Sequence, residues 1–174
     1  MNLRYSIVKT PLGDVFAAVD EQGALVELRF LGRRTIEDSI VQLRNSGHAL
    51  SRSRDSLEEV RIQVHEYFTR KRKQFELPVH LEGTLFQRRV WNRLREIAYG
   101  KTVTYGELAV RLGIPNGARA VGRANATNPV ALVIPCHRVI GHAGQLTGYG
   151  AGIAIKKALL GLEGALSPEL PFSR

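Results

Sequence analysis

Cysteine is almost absent from the chain, and long apolar runs are missing altogether. The 174 residues include a single cysteine, Cys136, which cannot form an internal disulfide. No apolar run reaches the roughly 18 residues that a membrane helix needs, and the first residues lack the apolar stretch of a signal peptide. These features are typical of a globular protein in the reducing cytoplasm, which is the location that the sequence predicts.

Acidic residues are scarce in the second half of the chain. Residues 84–174 carry 12 basic and 4 acidic side chains, a net charge of +8, whereas residues 1–83 carry 13 and 12, a net charge of +1. A basic half beside a neutral half indicates that one face binds a polyanion such as nucleic acid. The alternative is a solvated surface that is merely cationic.

The first half of the sequence alternates between strand and helix patterns. Short apolar or alternating runs predict strands at Tyr5–Lys9, Val15–Val19 and Leu25–Phe30, separated by turn residues. Two helices are predicted to follow, at about 35–46 and about 57–71.

Two capping patterns mark the starts of these helices. Thr35 with Asp38 opens the first helix, and Ser56 with Glu59 forms a capping box for the second. Residues 77–84 resemble a linker, so the sequence predicts an N-terminal α/β lobe over 1–78 and a second lobe over 79–174.

The second lobe is predicted to be mostly helical. One amphipathic helix contains Phe86 and Ile97 and ends near Gly100, and Thr104 can cap the next helix. With a third helix at about 117–125, the pattern suits a helix-turn-helix over about 104–125. A buried strand at Val130–Ile134, a loop over 135–150 and a helix at about 153–162 complete an α+β fold.

Cys136 lies between Pro135 and the pair His137-Arg138. A lone cysteine is more often an inert apolar residue than a nucleophile. Here His137 supplies a potential base and Arg138 a positive charge, both of which favour a reactive thiolate. Adjacent side chains on a regular helix or strand do not face each other, so Cys136 and His137 can communicate only across a backbone turn or through a bridging water.

A cationic helix face precedes this motif. Arg119 and Arg123 are four residues apart and therefore share one helix face. Small residues around them, including Ala118, Ala120 and Gly122, allow close approach to DNA or, alternatively, tight packing inside the protein. Asn128 before Pro129 can tie two segments together through its amide, or act only as a turn former.

With these motifs at these spacings, the sequence resembles the O6-alkylguanine-DNA alkyltransferases, in their bacterial two-domain form. The resemblance extends over both lobes and is most specific at Ile134-Pro135-Cys136-His137-Arg138. The other matching segments are Thr10–Gly13, Gly83–Thr84 with Phe86–Gln87, Val90–Trp91, Thr104–Ala109, Arg119–Gly122, Asn128–Pro129, Val139–Ile140, Gly148–Gly150, Lys156–Lys157, Leu159–Leu160 and Leu162–Gly164.

The resemblance implies that the first lobe is ribonuclease H-like and that Cys136 accepts the alkyl group irreversibly. His137 would take the thiol proton through a water, and Glu163 would orient that histidine. Tyr105 would help to rotate the nucleotide and donate a hydrogen bond to the leaving guanine, supported by Lys156.

The resemblance also implies how DNA is held. Asn128 would tie the recognition helix to the active-site loop, and Arg119 would fill the base stack after the target nucleotide has rotated out. Further DNA-binding residues would be Ala118, Ala120, Gly122, Arg123, Gln87 and Tyr105, and the base pocket would include Val139, Ile140, Tyr149 and Gly150.

Several consequences concern ligands. The partner would be double-stranded DNA containing alkylated bases, bound by a protein that is monomeric in solution and able to bind cooperatively. No cofactor is needed, and no metal is predicted. The first lobe has no cysteine, and His48, His65 and His80 do not form a convincing zinc site like that of human-type relatives. Gly150 stands where some relatives have serine, which implies room for alkyl groups larger than methyl.

Three other classes of function remain open at this point. A non-catalytic protein that binds alkylated DNA would share this lobe, but such proteins lack the acceptor cysteine. A helix-turn-helix regulator with a structural cysteine would bind undamaged duplex sequence-specifically. A cysteine hydrolase using Cys136, His137 and Glu163 would turn over ester or peptide substrates, although no sequence feature supplies its cleft.

Overall fold

The structure, a computed structural model, describes residues 1–166 of the chain. Contacts group these residues into two units. One contains Met1–Glu82 together with Pro129–Val133, and the other contains Gly83–Asn128 and the residues from Ile134 on. Each unit combines helices with a sheet, so the predicted α+β class is confirmed. No helix within residues 1–166 is long and apolar enough to cross a membrane.

A four-stranded sheet forms the centre of the first unit. Its strands are β1 (Asn2–Thr10), β2 (Gly13–Val19), β3 (Leu25–Phe30) and β4 (Ala49–Arg52), in the order β3-β2-β1-β4. The first three, which the sequence predicted, are antiparallel neighbours. The short edge strand β4 was not predicted, and it pairs in parallel with β1 over Asn2–Tyr5 only.

Two helices accompany this sheet, α1 (Ile36–Asn45) and α2 (Glu58–Phe68). The capping box of Thr35 and Asp38 is confirmed. The capping box predicted at Ser56 is wrong because a single 3-10 turn, Asp55–Leu57, precedes α2. The hydroxyl of Ser53 donates to that of Ser56 at 2.9 Å, so the Ser56 hydroxyl bonds to Ser53 instead of capping α2.

The segment predicted as a linker extends the first unit. The carbonyl of Pro78 accepts a hydrogen bond from Leu25 N–H at 2.8 Å, and His80 N–H donates to the carbonyl of Leu25 at 3.0 Å. These bonds attach residues 78–80 to the edge of β3 that does not pair with β2. The first unit consequently runs to Glu82, beyond the boundary at residue 78 that the sequence suggested.

The strand predicted at Val130–Ile134 is not formed. Val130 makes one isolated bridge to Leu28, where Leu28 N–H bonds Pro129 at 2.9 Å and Ala131 N–H bonds Leu28 at 2.7 Å. The backbone then turns, because Leu132 takes a left-handed conformation with a φ of 70°. The run is apolar because it is buried, and burial alone does not require a strand.

The second unit contains the predicted helices and an unpredicted two-stranded sheet. Its elements are α3 (Leu85–Leu94), β5 (Val103–Thr104), α4 (Tyr105–Arg111), α5 (Ala118–Ala126), β6 (Val139–Ile140) and α6 (Ile153–Leu162). The helix α3 ends six residues before Gly100. Ile97, which was assigned to it, lies in a following turn where its N–H bonds Leu94 at 3.1 Å.

The short sheet positions the functional residues. β5 and β6 pair in parallel, with Val103 opposite Val139 and Thr104 opposite Ile140. Thr104 also forms a capping box with Glu107, which begins α4 at Tyr105. Because β6 follows directly after Cys136–Arg138, this pairing brings the start of α4 beside the cysteine motif.

Candidate active site and nucleic-acid interface

Cys136 opens a 3-10 turn that spans Cys136–Arg138. The turn is closed by a hydrogen bond from Arg138 N–H to the carbonyl of Pro135 at 3.0 Å. Successive side chains of a 3-10 helix point about 120° apart, so those of Cys136, His137 and Arg138 diverge. All three are buried. The backbone turn that the sequence offered as one of two routes between Cys136 and His137 is present, but it points their side chains apart.

Glu163 receives the side chains of the two residues that follow the cysteine. Its Oε1 lies 2.8 Å from His137 Nε2, while Arg138 donates from Nε to Oε2 and from a terminal nitrogen to Oε1, both at 2.9 Å. Gly100 N–H donates to Oε2 at 3.2 Å. Burial raises the pKa of Glu163, but the hydrogen bonds and charges of His137 and Arg138 outweigh it and lower the pKa to about 2.

Arg138 acts on the carboxylate rather than on the thiol. The sequence interpretation placed its positive charge beside Cys136, whereas its guanidinium binds Glu163 through two nitrogens and donates to the carbonyl of Ile97 at 2.6 Å. It also lies 5.7 Å from the ring centre of Tyr99. The reason is the direction of the 3-10 turn, which sends successive side chains to different neighbours.

His137 is completely buried and has one engaged ring nitrogen. Burial lowers its pKa, with Glu163 acting in the opposite direction. A neutral ring that donates from Nε2 to Glu163 leaves a lone pair on Nδ1. Within the part of the chain that the structure describes, Nδ1 has no hydrogen-bond partner. The ring is therefore oriented with a basic nitrogen available.

The Cys136 thiol lies in a buried, partly polar environment. Burial raises its pKa, and a hydrogen bond with the side chain of Asn128 and the charge of Lys156 lower it. The buried hydroxyl of Tyr149 lies beside the sulfur, and its own pKa is raised well above the usual value by burial and by Cys136. Lys156 thus supplies the positive charge that the sequence interpretation expected from Arg138.

Lys156 joins three parts of the second unit. Its ammonium donates to the carbonyls of Val139 at 2.6 Å and Thr147 at 2.8 Å, and it lies 5.9 Å from the ring centre of Tyr105. Burial lowers the pKa of Lys156 to about 8. The resemblance implied that Lys156 supports Tyr105. Lys156 contacts the Tyr105 ring, and its two hydrogen bonds hold the loop that follows the cysteine.

Tyr105 is half-buried at the start of α4. Burial and the charge of Cys136 raise its pKa, while hydrogen bonds with Thr147 and Asn125 lower it. Neither of these partners was identified from the sequence. Asn125 could have been found, because it continues the buried stripe of Val121 on α5 and a buried amide requires a hydrogen-bond partner.

Asn128 lies just after α5 and is buried. Its side-chain amide donates to the carbonyl of Ile134 at 2.8 Å. This bond connects the end of the helix with the residue that precedes Pro135-Cys136, which is the tie that the sequence suggested. Asn128 also contacts the thiol itself, so it affects both the position and the ionisation of Cys136.

The cations of α5 are exposed, whereas the small residues around Arg119 are half-buried. Arg119 and Arg123 are exposed, and Ala118 and Ala120 are half-buried. Gly122 is half-buried, and a Cβ atom there would make ordinary van der Waals contact with the ring of Tyr105 at 3.8 Å. Gly122 therefore faces Tyr105 without being tightly packed against it.

Gln87 is engaged within the protein. Its side-chain oxygen accepts from Thr84 N–H at 2.9 Å in a capping box that begins α3, and its amide nitrogen donates to the Thr127 hydroxyl at 3.0 Å. It lines a groove of about 300 Å³ between α3 and α5. The other lining residues are Thr84, Phe86, Ala120, Arg123, Ala124 and Thr127.

The residues assigned to the base pocket differ in exposure. Val139 is completely buried, and its backbone carbonyl accepts a hydrogen bond from Lys156. Ile140 is half-buried, and Tyr149 is near the thiol. Gly150 is exposed, with open space around the position that a Cβ would occupy.

Two of the histidines considered for a metal pair with carboxylates instead. His48 lies 3.2 Å from Glu82, and His80 lies 3.1 Å from Asp20. Among residues 1–166, no three histidine, cysteine, aspartate or glutamate side chains come close enough together to hold a metal ion.

Both units match models of one protein family. Residues 3–81 match the ribonuclease-like domain of 6-O-methylguanine DNA methyltransferase, and residues 85–165 match its DNA-binding domain. A methylated-DNA–protein-cysteine methyltransferase of Methanosarcina acetivorans is 43% identical over 163 residues, covering 92% of this chain and 98% of that protein. The protein of the same name from Mycobacterium tuberculosis is 42% identical over 166 residues, covering 95% of each.

Solved structures agree with these matches. The crystal structure of the M. tuberculosis O6-methylguanine methyltransferase superposes with a TM-score of 0.83 at 38% identity, covering 96% of both chains. A structure from the same organism in complex with DNA gives a TM-score of 0.81 at 36% identity, covering 98% of this chain and 97% of that one. With matching domain models over both units and relatives that share more than 40% of their residues, the chain belongs to the 6-O-methylguanine DNA methyltransferase family.

Proposed function

We propose that this protein repairs alkylated DNA by transferring the alkyl group from O6-alkylguanine, and from O4-alkylthymine, onto Cys136. The observation that carries the proposal is the buried series of Glu163, His137 and Cys136, in which the carboxylate lies 2.8 Å from one ring nitrogen and leaves the other available. A buried thiol next to an oriented base is the arrangement that an activated nucleophile needs.

The transfer is a single displacement. A water relays the thiol proton to His137 Nδ1, and the thiolate sulfur attacks the alkyl carbon. The new S–C bond forms as the C–O6 bond breaks, and the electron pair of that bond goes to the base. Tyr105 donates a hydrogen bond to the leaving guanine, while Lys156 stabilises the negative charge near the sulfur. The thioether is stable, so each molecule reacts once and no cofactor takes part.

DNA binding is assigned to the second unit. Arg119 on α5 fills the space left by the rotated nucleotide, and Arg123 contacts the phosphate backbone near the groove between α3 and α5. Asn128 holds α5 in register with the cysteine turn. The protein binds alkylated duplex DNA as a monomer and can bind cooperatively along it.

Intact-mass measurement tests the proposal directly. Incubation with duplex DNA containing O6-methylguanine is expected to add the mass of one methyl group, located by peptide mapping on Cys136. Cys136→Ser is the control, and it should bind the same DNA without gaining mass. A protein that binds the lesion but is never methylated would instead be a non-catalytic binding protein.

Gly150 supports acceptance of larger groups. A Cβ atom there would meet no atom within 4 Å, so the loop leaves room at this position. We expect reaction with O6-benzylguanine, and we expect Gly150→Leu to slow that reaction much more than reaction with O6-methylguanine. Equal slowing of both substrates would show that Gly150 does not limit the size of the alkyl group.

A further inference from the structure

The first unit contains a basic groove that the alkyl transfer does not use. Its volume is about 750 Å³, and its walls come from β1, the end of β4 and α2. Five of its eleven lining residues are cations, and Glu66 is the one acidic member. The cations are Lys9, Arg52, Arg54, Arg61 and Lys71.

Part of this charge is not neutralised within the protein. Arg61 pairs with Glu58, and Glu66 is bound by Arg72 at 2.8 Å. Arg52, Arg54 and Lys71 are exposed and have no acidic partner among residues 1–166. The groove therefore keeps at least three uncompensated positive charges, although the first half of the chain is nearly neutral overall.

An open strand edge forms one side of the groove. β4 pairs with β1 only as far as Tyr5, opposite Arg52, while β1 continues to Thr10. Ser6, Ile7, Val8 and Lys9, which follow the end of this pairing, all line the groove. Four residues of a strand correspond to an open edge about 13 Å long.

The hydrogen-bonding groups of this edge can be assigned. Tyr5 directs its carbonyl away from β2, because that carbonyl accepts from Ser53 N–H at 2.9 Å. Main-chain groups in an antiparallel ladder alternate between the two sides with a period of two residues. Ile7 and Lys9 therefore also direct their N–H and C=O groups away from β2 and into the groove, whereas Ser6 and Val8 direct theirs to β2.

We propose that this groove binds an extended acidic peptide of a partner protein, which adds as a strand to β1 at Ile7–Lys9. The open edge supplies main-chain hydrogen bonds, and the surrounding cations select acidic side chains. Ile62 on α2, 43% exposed and lining the same groove, offers an apolar contact. A second copy of this chain is disfavoured, because pairing two such edges would bring the cations of both together.

A peptide in which aspartate and valine alternate, labelled with fluorescein, is a suitable probe. We expect binding that weakens with salt and that falls at least about tenfold in the double variant Arg52→Glu/Arg54→Glu. Arg33→Glu/Arg44→Glu changes the same charge at exposed positions of the first unit outside the groove, and it should bind normally. Unchanged alkyl transfer by both variants would show that they remain folded.

Two further measurements separate strand addition from simple charge attraction. A peptide with the same charge but with proline at alternate valine positions should bind at least about tenfold more weakly, because proline cannot complete a ladder. Hydrogen exchange should slow at the amides of Ile7 and Lys9 and stay unchanged at Ser6 and Val8. Equal binding of the proline peptide overturns the proposal, as does tighter binding of oligo(dT) that is lost in the Arg52→Glu/Arg54→Glu variant.

Discussion

At the scale of single residues, Glu163 has two partners that act on the site in different ways. Its bond to His137 favours the protonated ring, while the charge of Arg138 disfavours it. Arg138 nevertheless holds the carboxylate through two hydrogen bonds, so that Glu163 stays ionised despite its burial. The arrangement keeps a neutral, oriented histidine that can still accept a proton when the thiol ionises.

Replacing Glu163 by glutamine is expected to slow alkyl transfer by about 10²-fold or more, the scale of a general base. The amide removes the negative charge that stabilises protonated His137, and it leaves Arg138 buried without an anion. Single-turnover rates with O6-methylguanine DNA at neutral pH give the measurement, and DNA affinity is the control because binding relies on other residues. A normal rate would remove Glu163 from the mechanism.

The wild type and Glu163→Gln are also expected to differ in how their stability depends on pH. The pKa of Glu163 is lowered from 4.5 to about 2 on folding, so its stabilisation is complete above the unfolded value and is lost as the pH falls towards 2. That shift corresponds to about 3 kcal/mol. The greater stability of the wild type over Glu163→Gln, measured by urea unfolding, should therefore shrink as the pH is lowered from 6 to 3. A constant difference would contradict the lowered pKa.

At the scale of elements, two glycines of the second unit have opposite requirements. Gly122 is inside α5, and a Cβ there would only make van der Waals contact with Tyr105 at 3.8 Å. Gly100 has a φ of +74°, and a Cβ there would lie 2.9 Å from the backbone oxygen of Glu163. Helix interiors favour alanine over glycine, whereas a left-handed position in tight contact favours glycine.

Gly122→Ala is expected to raise the free energy of unfolding by about 0.5–1 kcal/mol, and Gly100→Ala is expected to lower it by at least about 1 kcal/mol. Chemical denaturation of the two variants under identical conditions provides the comparison. A loss of stability in Gly122→Ala would mean that Tyr105 cannot tolerate the added methyl group and that α5 packs more tightly than its contacts indicate.

Arg119 on α5 is proposed to fill the space that the rotated nucleotide leaves in the DNA. If it replaces the rotated nucleotide, Arg119→Ala should slow repair of duplex DNA by about tenfold or more, since unstacking costs a few kcal/mol. The free base O6-benzylguanine needs no rotation and should react at nearly the wild-type rate. Arg123→Ala, on the same exposed face, serves as the matched variant. Equal slowing on both substrates would give Arg119 a structural role.

Local sequence signals predicted those elements whose ends are set by neighbouring residues. Thr35 and Thr104 cap their helices as expected because each has an acidic residue three positions later. Ser56 has the same spacing to Glu59, yet the 3-10 turn that begins with Asp55 shifts the start of α2. Such competition between adjacent turns depends on packing and cannot be read from spacing alone.

The candidate site shows the same limit. The motif predicted the thiol and the base, and the resemblance implied the carboxylate; the structure buries all three residues and joins His137 to Glu163. The role of Arg138 could not be predicted, because it depends on where a 3-10 turn directs each side chain. The buried position of Asn125 on α5 could have been inferred from the sequence, but its contact with Tyr105 on α4 could not, because that contact joins two helices.

At the scale of the whole molecule, the two halves of the chain differ in how positive charge is arranged: one has a net excess, and the other has a local cluster. Residues 84–174 have an excess of eight positive charges, including Arg119 and Arg123 on α5. Residues 1–83 are almost neutral, but the groove beside β1 concentrates several cations in one place. A net excess suits a long polyanion such as DNA, whereas a local cluster suits a short acidic ligand.

This distribution predicts which cations set the salt dependence of duplex binding. Each phosphate neutralised by a cation contributes about −0.9 to the slope of log K against log salt concentration, so Arg123→Ala is expected to reduce that slope by about one unit. Arg52→Glu/Arg54→Glu changes more charge but lies in the peptide groove, and the slope for duplex DNA should stay unchanged. Fluorescence anisotropy with one labelled duplex over a series of salt concentrations makes both measurements. A reduced slope in Arg52→Glu/Arg54→Glu would show that the groove contacts the duplex, because only cations that neutralise DNA phosphates contribute to the slope.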